Sequence, residues 1–193
     1  QSARNLGLEP TLSDAEIIGL TQEGLKKFGP NPAVYIRPMY WAEEGDVSVV
    51  AADPASTDFA LCFEEMPMVE PKGFTITTTR FRRPTVETMP TNAKAACLYP
   101  NNARMIREAR AKGFQNALVQ DFAGNVAELA TANVFFVKDG HYFTPVANGT
   151  FLAGITTVDD AVGLLHEFLN DVELSLHALV VLQAYAKACR HHG

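Results

Sequence analysis

Basic charge, cysteine and long apolar runs are all scarce in this chain, and each scarcity removes a class of function. Sixteen Lys and Arg residues stand against 22 Asp and Glu, for a formal charge of −6, so nothing calls for a nucleic-acid partner. The densest basic cluster, Arg80, Arg82 and Arg83, is too short to track a phosphate backbone. Only three cysteines occur, Cys62, Cys97 and Cys189, far apart and without CxxC spacing. That pattern argues against a disulfide framework or a zinc site, and fits a reducing cytoplasm. The adjacent pair His191-His192 lacks further ligands, so no metal is expected. No apolar run approaches the roughly 20 residues that span a bilayer, so no membrane partner is expected. A basic segment followed by an apolar one, the mark of a signal peptide, is missing from the start. Gln1 stands where Met is usual, and we expect a processed or truncated chain.

What is present is ordinary for a soluble globular protein: 193 residues, 47 % hydrophobic and 20 % charged. The length allows one large domain or two small ones, with enough chain to bury a core. Ser13 followed by Glu16 is a capping box, and Ile17, Leu20 and Leu25 suggest the apolar face of a helix ended by Gly29-Pro30. Strand-like runs follow at 33–37, 47–52 and 59–63, with the turn Asp53-Pro54-Ala55-Ser56 between the last two. Residues 64–73, with two prolines and three glutamates, read as a linker between lobes.

A second lobe is expected over residues 74–156. It opens with a strand at 74–80, where Phe74, Ile76 and Thr78 alternate with threonines. A polar loop containing Pro84 and Pro90 leads to Lys94, and Pro100 suits the first turn of a helix running to Lys112 and closed by Gly113. Residues 116–120 read as a strand, 123–125 as a turn, 126–137 as strand, Asp139-Gly140 as a hairpin turn and 141–144 as its return. Residues 157–193, rich in Leu, Val, Ala and His, read as a helical tail. No internal repeat stands out.

Lys94 lies among Ala93, Ala95 and Ala96. Taken alone it reads either as a solvated surface lysine or as a partly desolvated amine against a pocket wall, suited to attack on a carbonyl. Four words read together decide more. Tyr35-Ile36-Arg37-Pro38, Lys94 through Tyr99 to Asn102, Gly124 through Glu128 and Asn133 to Phe135, and Phe151-Leu152-Ala153-Gly154-Ile155-Thr156 resemble fold-type IV aminotransferases, most closely the branched-chain amino-acid aminotransferase family. The resemblance runs almost continuously from Gln1 to Thr156.

The resemblance implies an α/β (α+β) fold of two lobes, the first represented by residues 1–63 and the second a mixed-sheet, barrel-like domain holding the cofactor, pyridoxal 5'-phosphate. Lys94 matches the lysine that carries the cofactor and shuttles a proton. Tyr99 matches a tyrosine on its phenolate oxygen, and Glu128 a glutamate on its ring nitrogen, where a carboxylate keeps the ring protonated. Val126, Leu129 and Val134 are apolar, so a buried Glu128 needs such a cationic partner as the protonated ring; without the motif it would read as an outward-facing strand residue. Leu152 matches a leucine against the ring, although a plain core leucine fits equally. Gly154, Ile155 and Thr156 match the phosphate-binding turn. Tyr35 and Arg37 match residues lining the substrate pocket, and alternation puts both on one strand face; a packed tyrosine beside an exposed arginine is the alternative. Asn133 matches a motif asparagine of structural role.

The family pattern extends before Gln1, and after Gly-Ile-Thr it continues with an arginine where this chain has Thr157; residues 158–193 do not match it. The implied function is transamination of leucine, isoleucine or valine with 2-oxoglutarate, by a homodimer or a multiple of dimers in the cytoplasm. D-amino-acid aminotransferase and aminodeoxychorismate lyase, which share the cofactor residues, are the alternatives within the fold. A truncated, non-catalytic relative is the alternative outside it.

Overall fold

Ser13 opens the first long helix as its spacing to Glu16 predicts. In α2 (Asp14–Leu25) the Ser13 hydroxyl accepts the Glu16 N–H at 3.3 Å, and the Glu16 carboxylate accepts the Ser13 N–H at 2.7 Å, so two donors at the helix start are satisfied reciprocally. The computed structural model describes residues 1–30, 32–48, 50–67, 73–138, 141–153 and 179–182. The chain divides into two compact units, Gln1–Gly73 and Phe74–Gly193.

In the first unit a single helical turn, α1 (Ser2–Asn5), precedes α2. Strands β1 (Val34–Ala42) and β2 (Thr57–Glu65) then pair antiparallel, with Tyr35 opposite Glu64 and Ala42 opposite Thr57. The pairing takes Glu64 and Glu65 into β2, so the expected linker starts later than residue 64. Tyr40 and Phe59 face each other across the ladder with ring centroids 4.8 Å apart, a cross-strand aromatic pair that helps fix the register. Ile17 is half-buried as expected, but Leu20 is exposed.

Gly24 is where α2 meets the sheet. A Cβ there would lie 2.2 Å from Cζ of Phe63, so the ring occupies the space a side chain would need. Gly24→Val is therefore expected to destabilise the protein by about 1–3 kcal/mol through overpacking. A denaturation midpoint equal to that of the wild type would contradict this packing.

The strand expected at 47–52 does not form. Asp46 takes the local donors instead: its carboxylate accepts Ser48 N and Oγ, Val50 N and Ala51 N, an arrangement that competes with a ladder. Val47 and Val50 point to solvent, and Gly45 opposite Ala52 is the bridge that closes the loop.

The second unit begins with a β–α–β crossover. Strand β3 (Ile76–Arg82) lies parallel to β4 (Asn116–Gln120), and α3 (Tyr99–Ala111) makes the connection a parallel pair requires. Lys112 and Gly113, at φ +82°, end the helix where glycine tolerates the left-handed backbone. Met105 and Ala109 of α3 pack on Ala117 and Val119 of β4 and on Ala130, with Phe81 and Ile106 against them; this is the core beneath the site. The β3–β4 register slips between Thr78 and Arg82. There Glu108 of α3 replaces a strand partner, accepting Thr79 Oγ1 at 2.6 Å and Arg80 N at 3.3 Å.

Strand β5 (Val126–Leu129) pairs antiparallel with β4, giving a mixed sheet of order β3-β4-β5. The segment expected as one strand from 126 to 137 breaks. The Leu129 N–H donates to Ala132 O at 2.8 Å and the Ala130 N–H to Ala117 O at 2.9 Å, so the chain turns before β6 (Asn133–Lys138). Strand β7 (His141–Phe143) pairs antiparallel with β6, Lys138 opposite His141; the hairpin residues Asp139 and Gly140 lie outside the described residues. On the other side of β6 runs β8 (Leu179–Leu182), antiparallel, with Asn133 opposite Leu182. These four residues correct the expectation of a helical tail. Leu-Val-Val-Leu is rich in β-branched residues, and β6 offers it a strand edge. The other residues from 157 onward lie outside the described ones.

Candidate active site

The loop from the end of β3 to the start of α3 carries Lys94. Its course is set by a buried threonine: Thr91 is 2 % exposed, and its hydroxyl donates to Gly149 O at 2.5 Å. Ala93 and Ala95 then bury their methyl groups on either side of Lys94, and this alternation turns the Lys94 side chain outward, where it is exposed. Of the two readings open from sequence, the exposed lysine is the one the structure shows, with the small flanking residues filling the wall. A 3-10 turn, Ala96–Leu98, leads into α3. Tyr99 begins that helix and is 56 % exposed.

Glu128 sits in the middle of β5, opposite Val119, with its side chain 14 % exposed. Its cationic partner here is Arg83, the residue after β3, whose Nη2 lies 3.0 Å from Glu128 Oε1. The same guanidinium donates from Nη1 to Asn102 Oδ1 at 2.6 Å, and from Nη2 to Leu129 O at 2.8 Å and Ala130 O at 3.3 Å. Arg83 thereby ties β3, α3 and the turn after β5 into one cluster. The residue is 8 % exposed, and its Nε, also buried, has no hydrogen-bond partner among the described residues. Burial pulls the guanidinium below its ordinary value, opposed by the charge of Glu128.

Burial pushes the Glu128 carboxyl up to about 7, against the opposing charges of Arg83 and Lys94. Lys94 and Glu128 therefore lie within electrostatic reach of each other. A group whose folded value is raised contributes stability below its unfolded value, and loses it as pH rises through the folded one. The protein without ligand is expected to lose stability between about pH 4.5 and 7 through Glu128, and Glu128→Gln to remove that part of the slope. Unfolding midpoints at a series of pH values check this; the same slope in both proteins would contradict it.

A second buried carboxylate braces the site from below. Asp121 is 1 % exposed and accepts Asn125 N at 2.9 Å, Asn125 Nδ2 at 3.2 Å and Asn148 Nδ2 at 2.9 Å. Asn148 in turn accepts Thr150 N at 3.2 Å and Thr150 Oγ1 at 2.7 Å. The turn after β4, the segment leading to Leu152 and, through Gly149 and Thr91, the Lys94 loop are tied together. Burial alone would raise Asp121, but the Asn125, Asn148 and Ala123 donors outweigh it and hold the carboxyl below its ordinary value.

Of the residues expected from sequence, Lys94 and Glu128 converge electrostatically in the second unit, where Tyr99 also lies. Leu152 is half-buried, and Asn133 heads β6. Gly154, Ile155 and Thr156 lie outside the described residues. Tyr35 and Arg37 share one face of β1 and are exposed, both within the first unit. Sequence reasoning missed Arg83, Asn102, Asp121 and Asn148 as contributors. The demand of a buried Glu128 for a cation pointed to the cofactor ring and not to Arg83, whereas Asp121 before the turn Gly124-Asn125 was a signal for the brace.

The model of amino-transferase class IV matches residues 1–158, and the chain belongs to that family. A probable branched-chain-amino-acid aminotransferase of Rickettsia typhi is 38 % identical over 158 residues, 81 % of this chain and 54 % of that protein. The branched-chain-amino-acid aminotransferase of Escherichia coli K12 is 31 % identical over 131 residues, 64 % of this chain and 42 % of that protein. Among solved structures, an aminotransferase from Brucella abortus bound to the co-factor PLP is 66 % identical, with a TM-score of 0.81 over 91 % of this chain and 61 % of that one. The Escherichia coli branched-chain enzyme is 28 % identical with a TM-score of 0.76, over 88 % of this chain and 56 % of that one. The fold is that of these aminotransferases. The chain spans about half the length of the curated relatives it matches.

Proposed function

We propose that this chain serves pyridoxal 5'-phosphate-dependent transamination of the branched-chain L-amino acids leucine, isoleucine and valine with 2-oxoglutarate. The observation that carries the reading is a largely buried carboxylate, Glu128, held 3.0 Å from Arg83 in the same unit as the exposed Lys94, in a chain whose relatives are named branched-chain-amino-acid aminotransferases. The residues fit the cofactor chemically: an amine to hold an aldehyde, a carboxylate matched to a protonated ring nitrogen, and a hydroxyl for a phenolate. Bound there, the cofactor supplies an electron sink for the electrons released at the substrate Cα.

The chain's own residues divide the remaining work. Lys94 attaches the cofactor and carries the proton to and from Cα. Glu128 would hold the ring-nitrogen proton, Tyr99 would orient the phenolate oxygen, and Leu152, with Ile155 and Thr156, would hold the ring and phosphate. Tyr35 and Arg37 receive the substrate, Arg37 offering a cation to its carboxylate. A homodimer or multiple of dimers in the cytoplasm belongs to the same proposal. Among the described residues no helix is long and apolar enough to cross a membrane.

The test is 2-oxo acid formation from L-leucine, D-alanine and aminodeoxychorismate, with the cofactor and 2-oxoglutarate as amino acceptor supplied. Turnover of L-leucine above the other two supports the branched-chain reading. Preference for D-alanine or aminodeoxychorismate would move the protein to those relatives, and inactivity toward all three would sink the catalytic reading of this chain.

A further inference from the structure

Arg83 has more contacts than a core-bracing role needs, and one of them is aimed at the residue the chemistry uses. Three carbonyl-type oxygens, Asn102 Oδ1, Leu129 O and Ala130 O, fix the guanidinium plane. A single further contact, Nη2 to Glu128 Oε1 at 3.0 Å, then reaches the carboxylate. A fork held at three points cannot follow a wandering side chain, so Glu128 must come to it. The guanidinium stays charged at any working pH, whereas Lys94, the other cation acting on Glu128, gives up its free ammonium when it attaches a carbonyl compound. Arg83 is thus the permanent counter-charge of the pair and Lys94 the conditional one.

We propose that Arg83 is the positioning residue for Glu128, fixing its carboxylate and supplying its counter-charge so that it can hold the proton on the cofactor ring nitrogen. This rests on the cofactor reading above. Asn102, one turn along α3 from Tyr99, aligns the guanidinium and so links the helix that presents Tyr99 to the strand that presents Glu128.

Two readouts test the assignment. The first needs no cofactor: glutamate carboxyl resonances are followed by ¹³C NMR from pH 5 to 9, with Glu128 identified by its loss in Glu128→Gln. Wild-type Glu128 is expected to titrate near 7, and Arg83→Met to raise its proton affinity by about tenfold or more. Arg83→Lys, which keeps a charge but not the fork, is the variant to use if Arg83→Met does not fold, and it should move the midpoint in the same direction. An unmoved midpoint in a folded variant overturns the proposal.

The second readout is the equilibrium affinity for pyridoxal phosphate. Arg83→Lys is expected to weaken it by about tenfold, and the double variant with Glu128→Gln to be no weaker than Glu128→Gln alone. Losses that multiply, or a lower melting temperature with unchanged affinity, would mean Arg83 is only a structural brace. If the wild-type chain takes up no cofactor, the functional reading fails and the role of Arg83 toward the ring fails with it. Normal uptake with an indifferent Glu128 overturns the Arg83 assignment alone.

Discussion

Lys94→Ala is expected to abolish transamination, lowering the rate by roughly 10⁴-fold or more, as removal of a covalent catalyst that is also the proton carrier does. The same substitution should leave the fold standing. Lys94 is exposed while its neighbours Ala93 and Ala95 carry the packing, so the loss of stability should be confined to the charge it places near Glu128, about 1 kcal/mol or less. Lys94→Arg sharpens the test, because it keeps the positive charge acting on Glu128 but cannot form the covalent link. It should be as inactive as the alanine variant. Activity is read as 2-oxo acid formation and stability by chemical denaturation. Residual activity near wild type in either variant would contradict the role given to Lys94.

Asp121→Ala is expected to act the opposite way, first on the fold and only then on the site. The carboxylate is fully buried and accepts from Asn125 N, Asn125 Nδ2 and Asn148 Nδ2. Removing it strands those donors, and a loss of about 2–4 kcal/mol follows from the usual cost of unpaired buried groups. Asp121→Asn should also destabilise, because an amide turns at least one donor toward another. The pH dependence has a definite sign. The folded carboxyl is held below its ordinary value of 3.8, so its contribution is present above that pH and is lost as pH falls through the lower folded value. Denaturation midpoints across pH 2–7 should therefore converge for wild type and Asp121→Ala at the acid end, and a constant gap would contradict the brace.

How much of this was legible in the sequence depends on whether the deciding interaction was local. The capping box Ser13–Glu16, the helix after Lys94 with its stop at Gly113, and β4 are set by near neighbours and were read close to their observed bounds. Residues 47–52 were misread because valines signalled a strand while the side chain of Asp46 captured the backbone donors. The break after Leu129 was invisible for the converse reason. Ala130 and Thr131 are unremarkable in sequence, and the turn is made by bonds to Ala117 and Asn116, which only the fold brings near. Strand β8 depends on β6, more than forty residues earlier in the chain.

The site shows the same division. Lys94 and Glu128 could be named because the spacing of their motifs resembles a known family. Arg83 could not be, since an arginine at the end of β3 has no local feature that says it will be buried. Its interior position goes with partners distant in sequence, Asn102, Glu128, Leu129 and Ala130. Lys94 read from sequence either as an exposed lysine or as one against a pocket wall, and only the fold shows it exposed, with Ala93 and Ala95 buried on either side.

The most direct test of the central claim is borohydride reduction after incubation with pyridoxal phosphate, followed by peptide mass mapping. A phosphopyridoxyl group on Lys94, absent from Lys94→Arg, is the predicted result. A folded protein in which Lys94 remains unmodified, or in which label spreads over surface lysines in both proteins alike, would contradict the account.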